Sequence, residues 1–286
     1  WDAIFYVNLV FIVPTLFIGH KVLPHQKGRS DKTRFDLAGA FLMLIVLSGT
    51  AGLLIQTRDS EADRLTLVGG IGLVVLTVFF LRYELRRPNP VFQPRFFLHR
   101  TFAAANSAVA FSNLALYCTL LALPIKLAGK GWTSTDIGNL LMAWMATSML
   151  VTPIGGRLAD LWGRRWPSVL GLSFLTLSML PLALSGGELP VPWLVVCLGA
   201  GGIGLGLSWA GLQTAVVETV HSDQVGAAAG IYATSRYLGS IVGSSLLAGF
   251  LSGGSAGFTT VFWMVLLGAG LSALVSLRLE DRPHPQ

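Results

Sequence analysis

The chain has 286 residues, of which 53% are hydrophobic and only 12% are charged, and its formal net charge is +6. A soluble globular domain carries about 25% charged residues, so this composition excludes an ordinary soluble protein. The basic residues form no long tract of the kind that binds nucleic acid, and Cys118 and Cys197 lack the spacing of a redox motif or a zinc site.

Uncharged runs along the chain predict about nine transmembrane helices. A helix that crosses the hydrocarbon core of a bilayer needs about 20 mostly apolar residues. The predicted spans are, in chain order, 4–23, 36–56, 65–82, 102–125, 136–156, 166–185, 191–216, 226–250 and 258–278. Helices that are apolar on all sides occur in membranes or in buried cores. We therefore expect an all-α, polytopic membrane helix bundle.

The positions of lysine and arginine predict which side of the membrane each connection occupies, because short cytoplasmic loops carry an excess of basic residues. If the connection after the first span is cytoplasmic, that side holds Lys21, Lys27, Arg29, Lys32, Arg34, Arg82, Arg86, Arg87, Arg95, Arg100, Arg157, Arg164, Arg165, Arg236, Arg278 and Arg282. The other side then holds Arg58, Arg64, Lys126 and Lys130. This asymmetry predicts a multi-pass protein of the cell (plasma or inner) membrane with a cytoplasmic C-terminus.

The first predicted span begins almost at Trp1, and the first methionine is Met43. No basic segment and no cleavage site precede the apolar run, so the segment is not a signal peptide. The simplest interpretation is a truncated reading frame. We therefore expect an odd number of upstream spans, which would bring the chain from a cytoplasmic start to an external Trp1.

The connection 83–101 divides the spans into a group of three and a group of six. It mixes arginine and phenylalanine with three prolines, and we expect it to lie along the lipid headgroups, with its rings in the interface. A set of six helices is what one half of a two-half carrier looks like, with each half built from two three-helix repeats.

The most specific motif lies in a tight connection between the fifth and sixth spans and reads Gly156-Arg157-Leu158-Ala159-Asp160-Leu161-Trp162-Gly163-Arg164-Arg165. Its glycines permit a sharp reversal and a close approach of helices. Asp160 either pairs with a neighbouring arginine or caps the next helix. Arg164 and Arg165 anchor the connection at the cytoplasmic surface. The alternative is a plain, positively charged turn.

This decapeptide resembles the loop signature of the major facilitator superfamily, although Leu161 stands where the family usually has a basic residue. Two other segments, 88–106 and 230–243, resemble the start of the C-terminal half and the penultimate span of the fourteen-span drug:proton antiporter branch, the multidrug resistance efflux transporters. At the start of the chain Trp1, Ile4, Phe5 and Asn8 match the opening of that branch's sixth span, while Asp2 and Val10 depart from it.

The resemblance implies that the nine spans correspond to the sixth through the fourteenth of the branch. Residues 1–23 would then be the last span of the N-terminal half. The segment 24–82 would be a cytoplasmic loop with two extra linker spans, and 83–101 a cytoplasmic interfacial linker. The remaining parts would be the six-helix C-terminal half, 102–278, and a cytoplasmic tail, 279–286.

Arg236 is a charge well inside an apolar run. Because a charge in the membrane costs at least about 2.5–3.5 kcal/mol, it should face a partner or a wet cavity, unless it snorkels to the nearby surface. In the family fold, the candidate cavity-lining residues are Asn106, Asn113, Tyr117, Trp144, Met145, Trp209, Gln213 and Tyr232; helix packing is the alternative for each. The pairs Gly202/Gly206 and Gly239/Gly243 have the spacing of close helix packing.

The resemblance implies a secondary transporter that exports drugs or other small amphipathic compounds by alternating access, driven by a proton gradient and without a cofactor. Its partners would be the substrate, the lipid bilayer and the N-terminal half of the same protein. An importer of a nutrient or siderophore, or a membrane subunit that does not transport, is the alternative. No cluster of His, Asp or Glu indicates an enzyme or a metal site.

Overall fold

The computed structural model describes residues 2–22, 36–56, 63–87, 90–251 and 255–281. Within these ranges the chain forms nine α-helices, a short 3₁₀ helix and no strand, which confirms the predicted all-α fold class. The helices are α1 (Asp2–Val22), α2 (Leu37–Gln56), α3 (Asp63–Arg86), α4 (Arg100–Gly129), α5 (Ser134–Trp162), α6 (Arg165–Leu184), α7 (Val191–Glu218), α8 (Val225–Leu251) and α9 (Ser255–Ser276). Trp1, the predicted connection 24–35, Pro88, Asn89, the break 252–254 and the tail from 282 onward lie outside the described residues.

Six of the described helices are long and apolar enough to cross a membrane, judged by length and composition. These stretches are Leu67–Arg86, Arg100–Gly129, Ser134–Trp162, Arg165–Leu184, Val191–Glu218 and Gly257–Ser276. The first two helices carry shorter apolar stretches, Asn8–Val22 and Leu37–Thr50. The helix α8 is long, but Arg236 and the glycines and serines around it lower its hydropathy. The six stretches and the nine helices agree with a polytopic helix bundle.

The chain divides into two compact units, one up to residue 35 and the other from residue 36. The first unit contains α1, an apolar helix that exposes large side chains such as Leu16 and Phe17. The second contains α2 to α9, and in it α2 packs against α3 and α8. The helices α2 and α3, which precede the connection 83–101, therefore share one unit with the six helices that follow it.

The six helices α4 to α9 pack with an internal symmetry. The pairs α5 with α7 and α6 with α7 have as counterparts α8 with α4 and α9 with α4, and α6 also packs against α9. Every one of these contacts is reproduced when α4, α5 and α6 exchange places with α7, α8 and α9. Because three short connections lie between α4 and α7, the two helices run in opposite directions, and this is the pattern of two inverted three-helix repeats.

The helices approach most closely where glycine removes the side chain. A Cβ atom added to Gly155 of α5 would lie 2.5 Å from the carbonyl oxygen of Gly206 in α7. A Cβ atom added to Gly171 of α6 would lie equally close to the carbonyl oxygen of Gly204. In a membrane, where helices gain little from burying apolar side chains, such backbone contact supplies much of the packing energy.

The connection between α3 and α4 is held by aromatic contacts. It contains the 3₁₀ helix Pro94–Leu98, and its rings pack in a chain from Phe92 through Phe97 to Phe102, with centroid distances of 5.8 and 5.3 Å. Phe96, which the sequence led us to expect among the lipid headgroups, is buried in the protein against Phe102. Ring pairs of this kind stabilise beyond their buried area, which explains why this ring packs inward.

Candidate functional site

The α5–α6 connection consists of Gly163 and Arg164 alone, because α5 continues through most of the decapeptide motif to Trp162. Gly163 has a φ of 86°, a conformation that side chains rarely adopt. A Cβ atom there would also meet the carboxylate of Asp281 at 2.5 Å. The reversal therefore depends on Gly163. Gly156 lies within α5, where an added Cβ atom would meet only Ala210, at 3.8 Å.

Arg164 connects this loop to α7. Its guanidinium lies 2.7 Å from Glu218 and 2.9 Å from Asp160, and it also donates to the carbonyl oxygen of Ala159. The Arg164 side chain is 18% exposed and that of Asp160 is 75% exposed. The hydrogen bond that Arg164 donates to Glu218, together with the negative charge of Glu218, raises the pKa of Arg164, although burial acts in the opposite direction. The loop arginine is thus a permanent cation that joins two helices.

Asp281 binds the first turn of α6. Its Oδ1 accepts a hydrogen bond of 2.9 Å from the backbone N–H of Arg165. An anion in this position compensates an unsatisfied N–H group and interacts favourably with the helix dipole. The two functions left open for Asp160 are therefore divided, since Asp160 pairs with Arg164 and the cap on α6 comes from Asp281. The Arg165 side chain extends over Trp166, with a distance of 5.6 Å to the ring centroid.

We call this end of the bundle the loop end; it comprises the α5–α6 connection, the start of α4, the end of α7 and residues 280–281. Arg100 lies 3.5 Å from Glu280, whose N–H donates to Thr101. A cavity of about 420 Å³ opens here, lined by His99, Arg100, Thr101, Arg164, Ala215, Glu218, Thr219, Glu280 and Asp281. Charged residues from four helix ends therefore surround one small space.

Sequence analysis missed Glu218 and Asp281, the two acids that fix the loop. Each stands at the end of a long uncharged run, on the same predicted side of the membrane as the arginine-rich motif. Their position on that side was the sequence feature that could have indicated a contact between these acids and the motif. It identifies a face, but it does not tell which acid meets which base, because the partners are separated by 54 and 116 residues.

A second polar cluster closes the opposite end of the bundle. Glu188, in the α6–α7 connection, lies 3.3 Å from Lys130 and 3.5 Å from Lys126, and Lys126 also donates to the carbonyl oxygen of Gly186. The hydrogen bond and charge of Lys130, followed by the charge of Lys126, lower the pKa of Glu188. A cavity of about 520 Å³ at this end is lined by Gly131, Trp132, Asp136, Asn139, Leu140, Val191 and Val195.

The candidate cavity-lining asparagines of α4 both donate hydrogen bonds to carbonyl oxygens of their own helix. Asn106 donates to the carbonyl oxygen of Phe102 at 2.9 Å, and its Oδ1 accepts a hydrogen bond of 3.0 Å from Ser235 of α8. Asn113 donates to the carbonyl oxygen of Val109 at 3.0 Å. Both asparagines are buried. Of the two, Asn106 makes a polar contact between helices, directly beside Arg236.

Arg236 lies on α8 next to this contact. Among the described residues, no carboxylate lies within ion-pair distance of its guanidinium, which stands 5.3 Å from the ring centroid of Tyr237. Its charge acts on Tyr232, one turn earlier, whose ring is buried. The structure thus brings together Asn106, Ser235, Tyr232 and Arg236 at the α4–α8 contact.

The other candidate cavity-lining residues are dispersed. Trp144 is fully buried in the core, and Trp209 is partly buried; the indole N–H of each is buried, and none of the described residues accepts a hydrogen bond from it. Met145 and Gln213 are exposed, whereas Tyr117 packs against the core. The structure therefore assigns Trp144 to helix packing and leaves Met145 and Gln213 accessible.

The four glycines predicted to pack helices all lie at helix contacts. A Cβ atom on Gly206 would lie 2.7 Å from the carbonyl oxygen of Ser148, and one on Gly202 would overlap the backbone of Trp144. On α8, Gly239 lies against the backbone of Ala110. Gly243 lies against Leu114, and its carbonyl oxygen accepts a hydrogen bond from the Cys118 thiol, with a sulfur–oxygen distance of 3.1 Å.

Within the described ranges, no group of three or more His, Cys, Asp or Glu side chains is placed to hold a metal ion. The arrangement consists instead of charge clusters at the two ends of the bundle and a polar contact between α4 and α8. Charged clusters of this kind can hold helices together in one conformation and release them in another.

Comparison with known proteins identifies relatives with a similar sequence. The family model of the Major Facilitator Superfamily matches residues 105–286. The chain is 29% identical over 276 residues to the uncharacterized MFS-type transporter YvkA of Bacillus subtilis, an alignment that covers 95% of the chain and 60% of YvkA.

Two further relatives carry names that describe an activity. The chain is 27% identical over 254 residues to the multidrug resistance protein Stp of Mycobacterium tuberculosis, covering 88% of the chain and 47% of Stp. It is 25% identical over 253 residues to the riboflavin transporter RibZ of Clostridioides difficile, covering 88% of the chain and 54% of RibZ. The chain thus spans roughly half to three fifths of the length of these curated relatives.

Proposed function

Because this chain belongs to the major facilitator superfamily, whose members similar to it are transporters, we propose that it takes part in proton-coupled export of small amphipathic compounds. In this proposal it acts within a fourteen-span drug:proton antiporter of the cell membrane, together with an N-terminal half of the same protein, and its C-terminus is cytoplasmic. The name of Stp, a multidrug resistance protein, supports export over other directions.

The observation that carries the proposal is the ion pair between Arg164 and Glu218, at 2.7 Å. Alternating access requires contacts at each end of the bundle that form in one state and break in the other. This pair joins the α5–α6 loop to α7, and it lies beside a cavity lined by further charges. Since the acid is only partly buried, separating the two groups exposes them to water instead of stranding a charge in lipid.

The surface that we propose for substrate binding is the contact between α4 and α8. Asn106 and Ser235 provide hydrogen-bonding groups there, Tyr232 provides a ring, and Arg236 provides a cation without a carboxylate partner among the described residues. Apolar surface with a few polar groups is typical of sites for small amphipathic ligands. Met145 and Gln213, which are exposed, extend the candidate surface on α5 and α7.

A tolerance assay tests the proposal. The full gene that encodes this chain is expressed in a host that lacks its own efflux pumps, and growth is measured with a panel of amphipathic toxic compounds. We expect higher tolerance to at least one compound, lost when an uncoupler dissipates the proton gradient and lost in the Arg164→Ala variant at equal membrane abundance. Unchanged sensitivity to the whole panel would contradict export.

Import is the second candidate, and the name of the riboflavin transporter RibZ favours it. It predicts uptake of a labelled nutrient into cells that express the full gene, against unchanged tolerance to toxic compounds. Accumulation and tolerance therefore change in different ways under the two hypotheses, and measurements on one set of strains distinguish them.

A further inference from the structure

Two carboxylates meet at the start of α2 and the end of α3, away from the sites described above. Glu84 is 1% exposed, and the side chain of Asp36 is 11% exposed. Burying an ionised carboxylate is costly unless it is paired and hydrogen-bonded. Each of the two acids therefore needs a physical explanation.

Asp36 is well compensated. Its Oδ1 accepts hydrogen bonds from the backbone N–H of Gly39, at 2.9 Å, and from the hydroxyl of Tyr83, at 3.2 Å. Arg87 places its Nε 3.7 Å from Asp36 Oδ2, and its Nη2 donates to the Tyr83 hydroxyl. A cation and two hydrogen-bond donors therefore surround the Asp36 carboxyl group.

Glu84 is poorly compensated. Its Oε2 accepts a hydrogen bond of 3.1 Å from the backbone N–H of Phe92, and the backbone N–H of Val91 also interacts with this carboxyl group. Its Oε1 and the Oδ2 of Asp36 are buried atoms that have no hydrogen-bond partner among the residues that the structure describes. Both of these oxygens lie within 3.1 Å of the point that a Cβ atom at Gly39 would occupy. Two acceptor oxygens thus face one small space, and no donor of the described ranges forms a hydrogen bond with either, although Arg87 Nε lies 3.7 Å from Asp36 Oδ2.

We propose that Asp36 and Glu84 form a proton-binding site in which Glu84 holds a proton on Oε1 at neutral pH. The proton converts Oε1 from an acceptor into a donor and directs it toward Oδ2 of Asp36. It also removes the repulsion between two negative groups that share a single guanidinium.

Within the part of the chain that the structure describes, Arg87 is the cation that acts on Glu84. The charged groups that act on Glu84 are Asp36 and Arg87. Arg95, in the 3₁₀ helix that packs against α3, donates to the carbonyl oxygen of Leu85. The helix α8, which packs against α2, carries Arg236 as its one charged residue, and that charge acts on Tyr232.

The proposed proton also affects the chain between α3 and α4. The N–H of Phe92 donates to Oε2 of Glu84, and hydrogen bonds to an ionised acceptor are roughly twice as strong as those to a neutral one. Loss of the proton would therefore hold this connection more tightly against α3. This consequence does not depend on which compound the protein transports.

Infrared spectroscopy of the purified chain in detergent tests the proposal without any transport assay. We expect the carbonyl band of a protonated carboxylic acid at neutral pH, where ordinary glutamates are ionised. The band should disappear in the isosteric variant Glu84→Gln and persist in the matched control Glu188→Gln, which removes an exposed acid. Absence of the band from the unaltered chain, or its persistence in Glu84→Gln, would overturn the proposal.

A pH titration of the same band identifies the partner. In Asp36→Asn the neighbouring negative charge is gone, so Glu84 should ionise more readily and the band should disappear at a lower pH than in the unaltered chain. A midpoint that stays the same, or moves to higher pH, would show that Asp36 does not share the site. The titration of the unaltered chain stands by itself if a variant fails to fold.

Discussion

The contact between α5 and α7 leads to a sharp prediction for two neighbouring glycines. In Gly155→Ala the new Cβ atom would lie 2.5 Å from the carbonyl oxygen of Gly206 and 2.8 Å from the Cα atom of Leu207. These are backbone atoms of another helix, so no side-chain rotation can relieve the clash. In Gly156→Ala the nearest atom is the Cβ of Ala210, at 3.8 Å, which is an ordinary contact.

The expected magnitude follows from a comparison of the two variants. Alanine stabilises a helix interior relative to glycine by about 0.5–1 kcal/mol, and this gain is common to both positions. Overpacking a well-packed contact costs typically about 1–3 kcal/mol, and it applies to Gly155 alone. We therefore expect Gly155→Ala to be less stable than Gly156→Ala by about 1–3 kcal/mol.

Thermal unfolding in detergent measures this difference. Both variants are purified, heated in steps and assayed for the fraction that remains monodisperse, which gives an apparent Tm. One kcal/mol corresponds to about 2–4 °C in Tm for a domain of roughly 150–250 residues. Equal Tm values for the two variants, or a higher value for Gly155→Ala, would refute the close approach of α5 and α7 at this position.

Three further changes have expected outcomes in the same unfolding assay. Glu218→Gln, which removes the main partner of Arg164, should lower the free energy of unfolding by about 1 kcal/mol or less, because the pair is partly exposed. Glu280→Gln, which removes the partner of Arg100 in a more exposed pair, should have no measurable effect. Equal losses of stability in the two variants would contradict this. Gly163→Ala and Gly131→Ala each place an alanine in the left-handed backbone conformation, which costs roughly 1–2 kcal/mol of stability. The new Cβ atom in Gly163→Ala also clashes with the carboxylate of Asp281, so this variant should unfold at the lower temperature. Glu188, whose pKa two lysines lower, stabilises the fold above the ordinary carboxyl pKa of about 4.3 and loses this effect as the pH falls through its lowered value. The Tm difference between the unaltered chain and Glu188→Gln should therefore close in acid, and a difference that grows there would oppose this explanation.

Helix positions were predictable from sequence because charge is excluded from the hydrocarbon core. The ends of the helices were less predictable. The fifth span was expected to end at residue 156, yet α5 continues to Trp162, and α3 extends to Arg86 instead of residue 82. Apolarity defines the part of a helix that lies in lipid, whereas a helix continues into the polar region until a residue such as Gly163 reverses the chain.

The candidate site was only partly predictable. The motif around Arg164 was recognisable, but its partner Glu218 is a matter of tertiary packing, which no local pattern encodes. Likewise, the close helix approach was expected of the motif's glycines, which begin at Gly156, whereas the close contact with α7 is made by Gly155, just before the motif. Since nearly every position of such a helix is apolar, periodicity does not tell which side faces a neighbour, and the structure selects Gly155.

The contact between Asp281 and the N–H of Arg165 has a consequence for how the protein is made. These two residues are 116 positions apart, and Thr101 and Glu280, which also meet at the loop end, are 179 apart. Chains emerge from the ribosome N-terminus first, so the sixth helix acquires its cap only after the last helix has been synthesised and inserted. The loop end is therefore assembled last, and nascent chains that stop short of Asp281 should leave the turn at Gly163 open to proteolysis.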